Sequence, residues 1–368
     1  MSIRITSKKR LNALCIVVGL ILVMDNSLAK TPVITTVVDG LNSPWAFEFL
    51  SESEILVTER DGKLRLIRNG ALQDEPISGT PDVHFAGQGG LLDVMLDANF
   101  QTNRKLYLSY AHGNRKANAT RLMSAVLTDN ALTQQTVLFT ASPLKDTGHH
   151  YAGRIAQMSD GSLMLNIGDG YDYREQAQQL DSHFGKTVRI NQDGSPHKDN
   201  PFLDNDDALP EIWSYGHRNH QALTVVNDVV YQNEHGPKGG DEVNIIKPGL
   251  NYGWPVITYG IDYNGAQITP FTEYQGMQQP KIQWTPSIAP SSMTYYRGHL
   301  YVTSLVERSI RKLQIEGDTI TDLGPVFSEI NDRLRDIAVS PEGTLYVLTD
   351  GRNAELLRVD DVEQTAPN

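Results

Sequence analysis

The segment "TGHHYAGRIAQMSDGSLMLNIGDG" (residues 147–170) sets two adjacent histidines ahead of a strand-like run and an aspartate just behind it. Imidazole has the ordinary pKa closest to working pH, so His150 is a candidate general base. Asp169 could fix the tautomer of that base and stabilise the imidazolium that forms; a plain turn residue in "GDG" is an equally good reading of its spacing. Arg218, Arg333 and Arg335 stand out in an acidic chain. Guanidinium forks bind carboxylate or phosphate bidentately, so three of them suggest an anionic ligand. In "NEHGPKGGDEVNIIKPGLNYGWP" (233–255) glycines and prolines bend the backbone so that carbonyl oxygens can point at one spot, while Asp241 and Glu242 add carboxylates. Oxygen donors of varied geometry suit calcium. The stretch does not match an EF-hand loop, and an ordinary Gly-rich turn is the alternative.

These residues converge only if the fold brings them together, and the chain carries a repeat that would do so. Short strands recur at "ILVTER" (55), "LYLSY" (106), "LMLNIGD" (163), "VVYQNEH" (229), "LYVTSL" (300) and "LYVLTD" (345), each preceded by another short strand. Asp160-Gly161, Asn227-Asp228, Arg297-Gly298 and Glu342-Gly343 are hairpin turn signals between such pairs. Six strand–turn–strand units spaced by roughly 45 to 70 residues, with no long helical periodicity, predict an all-β, six-bladed β-propeller of four-stranded antiparallel blades. A large β-sandwich would not repeat one hairpin six times. About nine or ten residues before each turn stand Gln88, His150, Arg218 and Arg333, with Arg335 two further on; the first unit offers only Pro44, and the fifth falls near Ile288, beside Ser287. Residues just ahead of the innermost strands should ring one mouth of the central channel.

Lys8, Lys9 and Arg10, the apolar stretch "LNALCIVVGLILVM", and then "DNSLA" read as a secretory signal peptide over residues 1–29. Residues 30–368 then form a single propeller domain, and export to a bacterial periplasm is expected. The one cysteine, Cys15, lies in the leader, so the mature chain has neither disulfide nor thiol chemistry. The formal charge is −12. With Arg4, Lys8, Lys9 and Arg10 against Asp25 removed, the remainder is near −15. That balance argues against nucleic acid or anionic lipid as a partner, and no second apolar run is long enough to span a bilayer. There is no Walker loop, dinucleotide fingerprint, HExxH or GxSxG.

The chain resembles the soluble pyrroloquinoline quinone (PQQ) dependent sugar dehydrogenases, most of all the bacterial aldose sugar dehydrogenases. The resemblance is carried in order by "GQGGLLDVMLDANF", "HHYAGRI", "IGDG", "GKTVRINQDGSPHKDNPF", "EIWSYGHRN", "NEHGPKGGDEVN", "NYGWP" and "RLRDIAVSPEGTLYVLTD". It implies a six-bladed propeller, PQQ and calcium as cofactors, and oxidation of aldoses at C1. His150 then matches the base and Asp169 its acidic partner. Arg218 and Asn219 match the pair facing the quinone, Gln88 a ligand-facing glutamine, and Arg333 and Arg335 the arginines on the cofactor carboxylates. Gly236 and Pro237 match the carbonyls on the cofactor's calcium, while Asp241, Glu242 and Tyr252 lie where a further structural calcium is found. The resemblance also implies a monomer or homodimer; the electron acceptor, a quinone or a cytochrome, is left open. The chain departs from the pattern at Val306, where relatives carry a lysine, at His220, which replaces a proline, and at His149, which replaces Asp or Asn; the last two could alter sugar preference. Two other readings compete: a metal-dependent lactonase-type hydrolase, and a non-catalytic carbohydrate-binding propeller.

Overall fold

The computed structural model describes residues 32–360; the leader lies outside them. Twenty-four strands pair into six four-stranded antiparallel sheets. Five sheets are built from consecutive strands, the first running Pro44–Ser51, Glu54–Glu59, Leu64–Arg68 and Ala71–Leu72. The sixth takes Leu334–Val339, Leu345–Thr349 and Ala354–Asp360, and is completed by Val33–Leu41 from the other end of the chain. The innermost strands begin at Pro44, Leu91, Ala152, Asn219, Pro290 and Leu334, and each packs against the next around a ring. The six-bladed propeller read from the repeat is the fold observed, and the six quoted strands are the second strands of the six blades.

Six apolar clusters account for why those second strands read as near-continuous hydrophobic runs. Each cluster lies between two neighbouring blades, as where Tyr107 and Leu122 meet Ile155 and Leu163, or where Leu41 and Leu348 meet Phe47 and Ile55. A blade is therefore covered on both faces, and a strand such as Leu163–Ile167 is buried at every position. Period-2 alternation is lost wherever both sides of a sheet are apolar. The turn signals close the hairpins as expected: Asn227 and Asp228 have φ of 50° and 62°, and Arg297 and Gly298 have 46° and 81°. Two successive left-handed residues give the turn whose twist matches the strands it joins. Among the described residues no helix is long and apolar enough to cross a membrane.

One long connection breaks the pattern. Between the strands Asp241–Ile246 and Ile282–Trp284 the chain runs through residues 247–281 without forming a named strand. It carries Trp254, Asp262 and Tyr263 to a cleft at the channel mouth.

Candidate active site

His150 stands two residues before the innermost strand Ala152–Gln157, and Asp169 stands two residues after the second strand Leu163–Ile167. The hairpin therefore returns the chain to the same end of the blade. The two segments touch at Gly168, where any Cβ would lie 2.3 Å from the His150 carbonyl oxygen, so only glycine fits. His150 itself has a left-handed backbone (φ 53°), uncommon for any residue other than glycine. Its N–H is held by the Gln88 Oε1 at 2.7 Å. The ring Nδ1 lies 2.6 Å from Asp169 Oδ1. Asp169 Oδ1 also accepts the Tyr171 N–H at 2.9 Å, and its other oxygen accepts the Trp254 indole N–H at 2.7 Å.

Electrostatics decide what this pair can do. Burial pushes the His150 pKa down; Asp169 pulls it back up, and Arg218 and His149 push it down again, leaving a net depression. The ring is thus neutral near pH 7. Because a carboxylate can only accept, the proton sits on Nδ1 and Nε2 keeps its lone pair. That is the tautomer a general base needs.

Arg218 borders the same cleft, of about 340 Å³, with His150, Asp169, Pro237, Trp254 and Tyr263. It is almost wholly buried, yet among the described residues no carboxylate lies within ion-pair distance of its guanidinium. Nη1 donates to the carbonyls of His235 (3.1 Å) and Gly236 (2.7 Å), Nη2 reaches the Tyr263 hydroxyl at 3.4 Å, and the buried Nε has no partner. Its backbone N–H, not its side chain, is what Glu234 holds at 2.7 Å. The guanidinium carbon lies 5.3 Å from the centre of the Trp254 ring. A buried cation with an orphaned donor is costly unless an anion arrives to share the space.

A second cavity of about 300 Å³ lies on the channel axis, lined by Arg60, Gln88, Asn219, His235, Arg333 and Arg335 among others. Arg333 and Arg335 both donate to Asp350, with Nη2 distances of 2.9 and 2.8 Å. Burial alone would raise the Asp350 pKa, but the two arginines outweigh it and hold it below the usual range. Between the cavities, burial together with Arg218 and Arg335 pushes His235 down to about 3.

The structure thus gathers His150, Asp169, Arg218 and Pro237 in one cleft and Gln88, Asn219, Arg333 and Arg335 in its neighbour. Ser287 lines neither; its hydroxyl donates to Asp241 Oδ2 at 2.6 Å. Asp241 is itself filled, accepting the backbone N–H groups of Gly236, Ile288 and Ala289 at 2.8–2.9 Å, so its carboxylate braces the Gly236 turn. The Tyr252 hydroxyl is equally occupied, between the Lys247 N–H and the Ile245 carbonyl. Glu242 is different. It lies near Tyr252, Gly236 and Glu234 around a small buried hollow, and burial plus Glu234 push it up to about 8. Among the described residues no group of three His, Cys, Asp or Glu side chains is arranged to hold a metal, so an ion beside Gly236 and Pro237 would rest on carbonyl oxygens. His220 is fully buried, its Nε2 meets the Ile167 carbonyl at 3.0 Å, and it does not line the cleft. His149 is exposed and tilts against Tyr171 at 5.3 Å. Val306 points to solvent, 60% exposed.

Sequence reasoning missed Trp254, Arg60 and Asp350. Asp350 follows the second strand of its blade by one residue, as Asp169 follows its own by two, so the repeat could have found it. Trp254 sits in the long connection, where no periodicity marks it.

The family model for glucose/sorbosone dehydrogenases matches residues 41–358. The chain belongs to that family. It is 38% identical over 338 residues to aldose sugar dehydrogenase YliI of Escherichia coli (strain K12), a match covering 87% of this chain and 91% of the relative. The crystal structure of the soluble aldose sugar dehydrogenase from Escherichia coli in its apo-form superposes with a TM-score of 0.86 at 36% identity, over 90% of this chain and all of that one. The PQQ-bound form of aldose sugar dehydrogenase from Streptomyces coelicolor gives a TM-score of 0.74 at 25% identity, over 90% of this chain and 99% of that one.

Proposed function

We propose that this glucose/sorbosone dehydrogenase oxidises aldose sugars at C1 to the lactone, using PQQ and calcium. The observation that carries the reading is the pairing, in one cleft, of a neutral histidine with an open Nε2 and a buried arginine that has no carboxylate of its own. PQQ is an anionic quinone with three carboxylates, and the residues present suit it. Arg333 and Arg335 would hold carboxylates, Gln88 and Asn219 would hold polar edges, and Arg218, with its orphaned Nε, would face the quinone oxygens. The Gly236 and Pro237 carbonyls would take the calcium. A carbonyl oxygen has two lone pairs, so the bond Gly236 already accepts from Arg218 is no obstacle. Relatives whose names specify aldose sugars and a bound PQQ support both substrate and cofactor.

When bound, the quinone with its calcium supplies the hydride acceptor. His150 Nε2 takes the proton from the anomeric hydroxyl, which makes the C1 hydrogen a better hydride. Asp169 stabilises the imidazolium that results and keeps its ring in place. Arg218 is positioned against negative charge developing on the acceptor side. The leader would deliver the chain to the periplasm. A lactonase-type hydrolase would want carboxylates and asparagines around the axis, and arginines dominate there instead.

Reconstitution tests this directly. Adding PQQ and calcium to the purified mature chain should give dye reduction that depends on glucose or another aldose and on both additions. Failure to bind PQQ at all would overturn the proposal.

A further inference from the structure

We infer that Trp254 is a positioning residue that holds the base and the anion-facing arginine in one fixed relation. The inference rests on the assignment of His150 as base. Three observations support it. The indole N–H donates to Asp169 Oδ2 at 2.7 Å, on the carboxylate oxygen that His150 does not use. With Tyr171 and His150 on the other oxygen, the carboxylate is clamped by three donors and cannot turn away from the imidazole. The face of the same indole carries the Arg218 guanidinium at 5.3 Å, a distance at which a cation is attracted to the ring.

The indole is itself fixed from outside the site. The Trp254 backbone N–H donates to the Gly216 carbonyl at 2.9 Å, and its backbone carbonyl accepts the Gln178 side-chain N–H at 2.7 Å. Asn251 Oδ1 accepts both the Gly253 N–H and a second bond from Gln178. Gly216 permits this closeness, because a Cβ there would lie 2.1 Å from Asn251 Oδ1. The long connection is therefore pinned to its neighbouring segments, and its one buried tryptophan reaches two residues that stand 49 positions apart in the chain.

The consequence is electrical as well as steric. The groups that face His150 are Asp169, Arg218 and His149, with Tyr171 edge-on at 5.0 Å and His235 on the adjacent blade. A donor on Asp169 draws negative charge away from the oxygen facing the imidazole. Removing it leaves more charge there, so the proton on His150 is held more tightly.

The test is Trp254→Phe, which keeps an aromatic face and deletes the N–H. The first readout needs no cofactor: histidine titration followed by NMR in the unloaded protein. We expect the His150 pKa to rise by half a unit or more, and the change to vanish in an Asp169→Asn background. In the loaded enzyme we expect kcat to fall roughly tenfold, with the acid limb of its pH profile moved upward and KM within about twofold. An unmoved His150 titration in folded Trp254→Phe would overturn the inference even if PQQ-dependent turnover is confirmed. The titration also stands if turnover fails, so the two readings fail separately. Should Trp254→Phe not fold, Asp169→Asn can be read through the indole N–H resonances: one must shift, and four unmoved signals would refute the bond.

Discussion

Two buried arginines sit one blade apart on the channel, and they are treated in opposite ways. Arg154, in the innermost strand that follows His150, lies between Asp93 at 2.9 Å and Asp336 at 3.2 Å and over the Trp45 ring. Asp336 also accepts the Phe47 N–H and the Ser292 hydroxyl, so one cluster ties together innermost strands from five blades. Arg218, at the mouth, has carbonyls, a tyrosine and an indole, with no carboxylate among the described residues. Burial is similar; charge compensation is not. The Arg154 charge is matched by carboxylates within the fold, whereas no carboxylate among the described residues matches that of Arg218. A buried arginine is thus informative about function through what it lacks.

That contrast can be broken in several ways. His150→Ala should have the largest effect, lowering kcat by roughly 10²–10⁴-fold, the usual range for a lost general base. PQQ affinity, measured by fluorescence titration, should stay within about twofold; loss of cofactor binding would refute the assignment. Next is the same substitution at both arginines. Arg154→Met strands Asp93 and Asp336 and should cost about 3–5 kcal/mol in urea unfolding. Arg218→Met removes an uncompensated charge, and should leave stability unchanged or raised while abolishing most activity. Equal destabilisation at both sites would erase the distinction drawn above.

A smaller effect concerns pH. Burial, aided by His217, pushes His220 from 6.5 down to about 4. A histidine whose folded pKa is depressed favours folding above its unfolded value and loses that contribution as pH falls. Stability should therefore be full above pH 6.5 and decline toward pH 4, by about 3 kcal/mol at most from this residue. Thermal melts across that range should be flatter for His220→Asn once its own baseline is subtracted. Smallest of all is Val306→Lys. One solvent-facing charge contributes up to about 1 kcal/mol, so PQQ affinity should tighten by no more than about fivefold.

How much of this could be read from the chain depends on where periodicity survives. The blades were legible because each hairpin needs a left-handed turn, and Asn227-Asp228 or Arg297-Gly298 advertise one. The mouth residues were legible because they precede strands already counted. Ser287 shows the limit of counting: its offset is right, yet its hydroxyl is drawn sideways to Asp241. Asp93 and Asp336 were illegible as a cluster, since they lie on innermost strands far apart in the chain and only closure of the ring sets them on either side of Arg154. Trp254 was illegible for a different reason. It is placed by bonds to Gly216 and Gln178, and no local pattern encodes those partners.

The way the ring is shut has a bearing on how the protein comes into being. Val33–Leu41 finds its partner in Ala354–Asp360, more than three hundred residues later. Until that stretch has been made, the sixth sheet lacks its two outer strands, and only Leu334–Val339 and Leu345–Thr349 stand against the first blade. Arg333 and Arg335 belong to that same last sheet, while His150 and Arg218 belong to the third and fourth. A polypeptide halted before Ala354 would hold all six innermost strands, yet a sixth blade of only two paired strands. The sixth blade is thus finished by strands from opposite stretches of the chain, and Leu41, Ala354 and Leu356 complete the cover over Phe47 and Ile55.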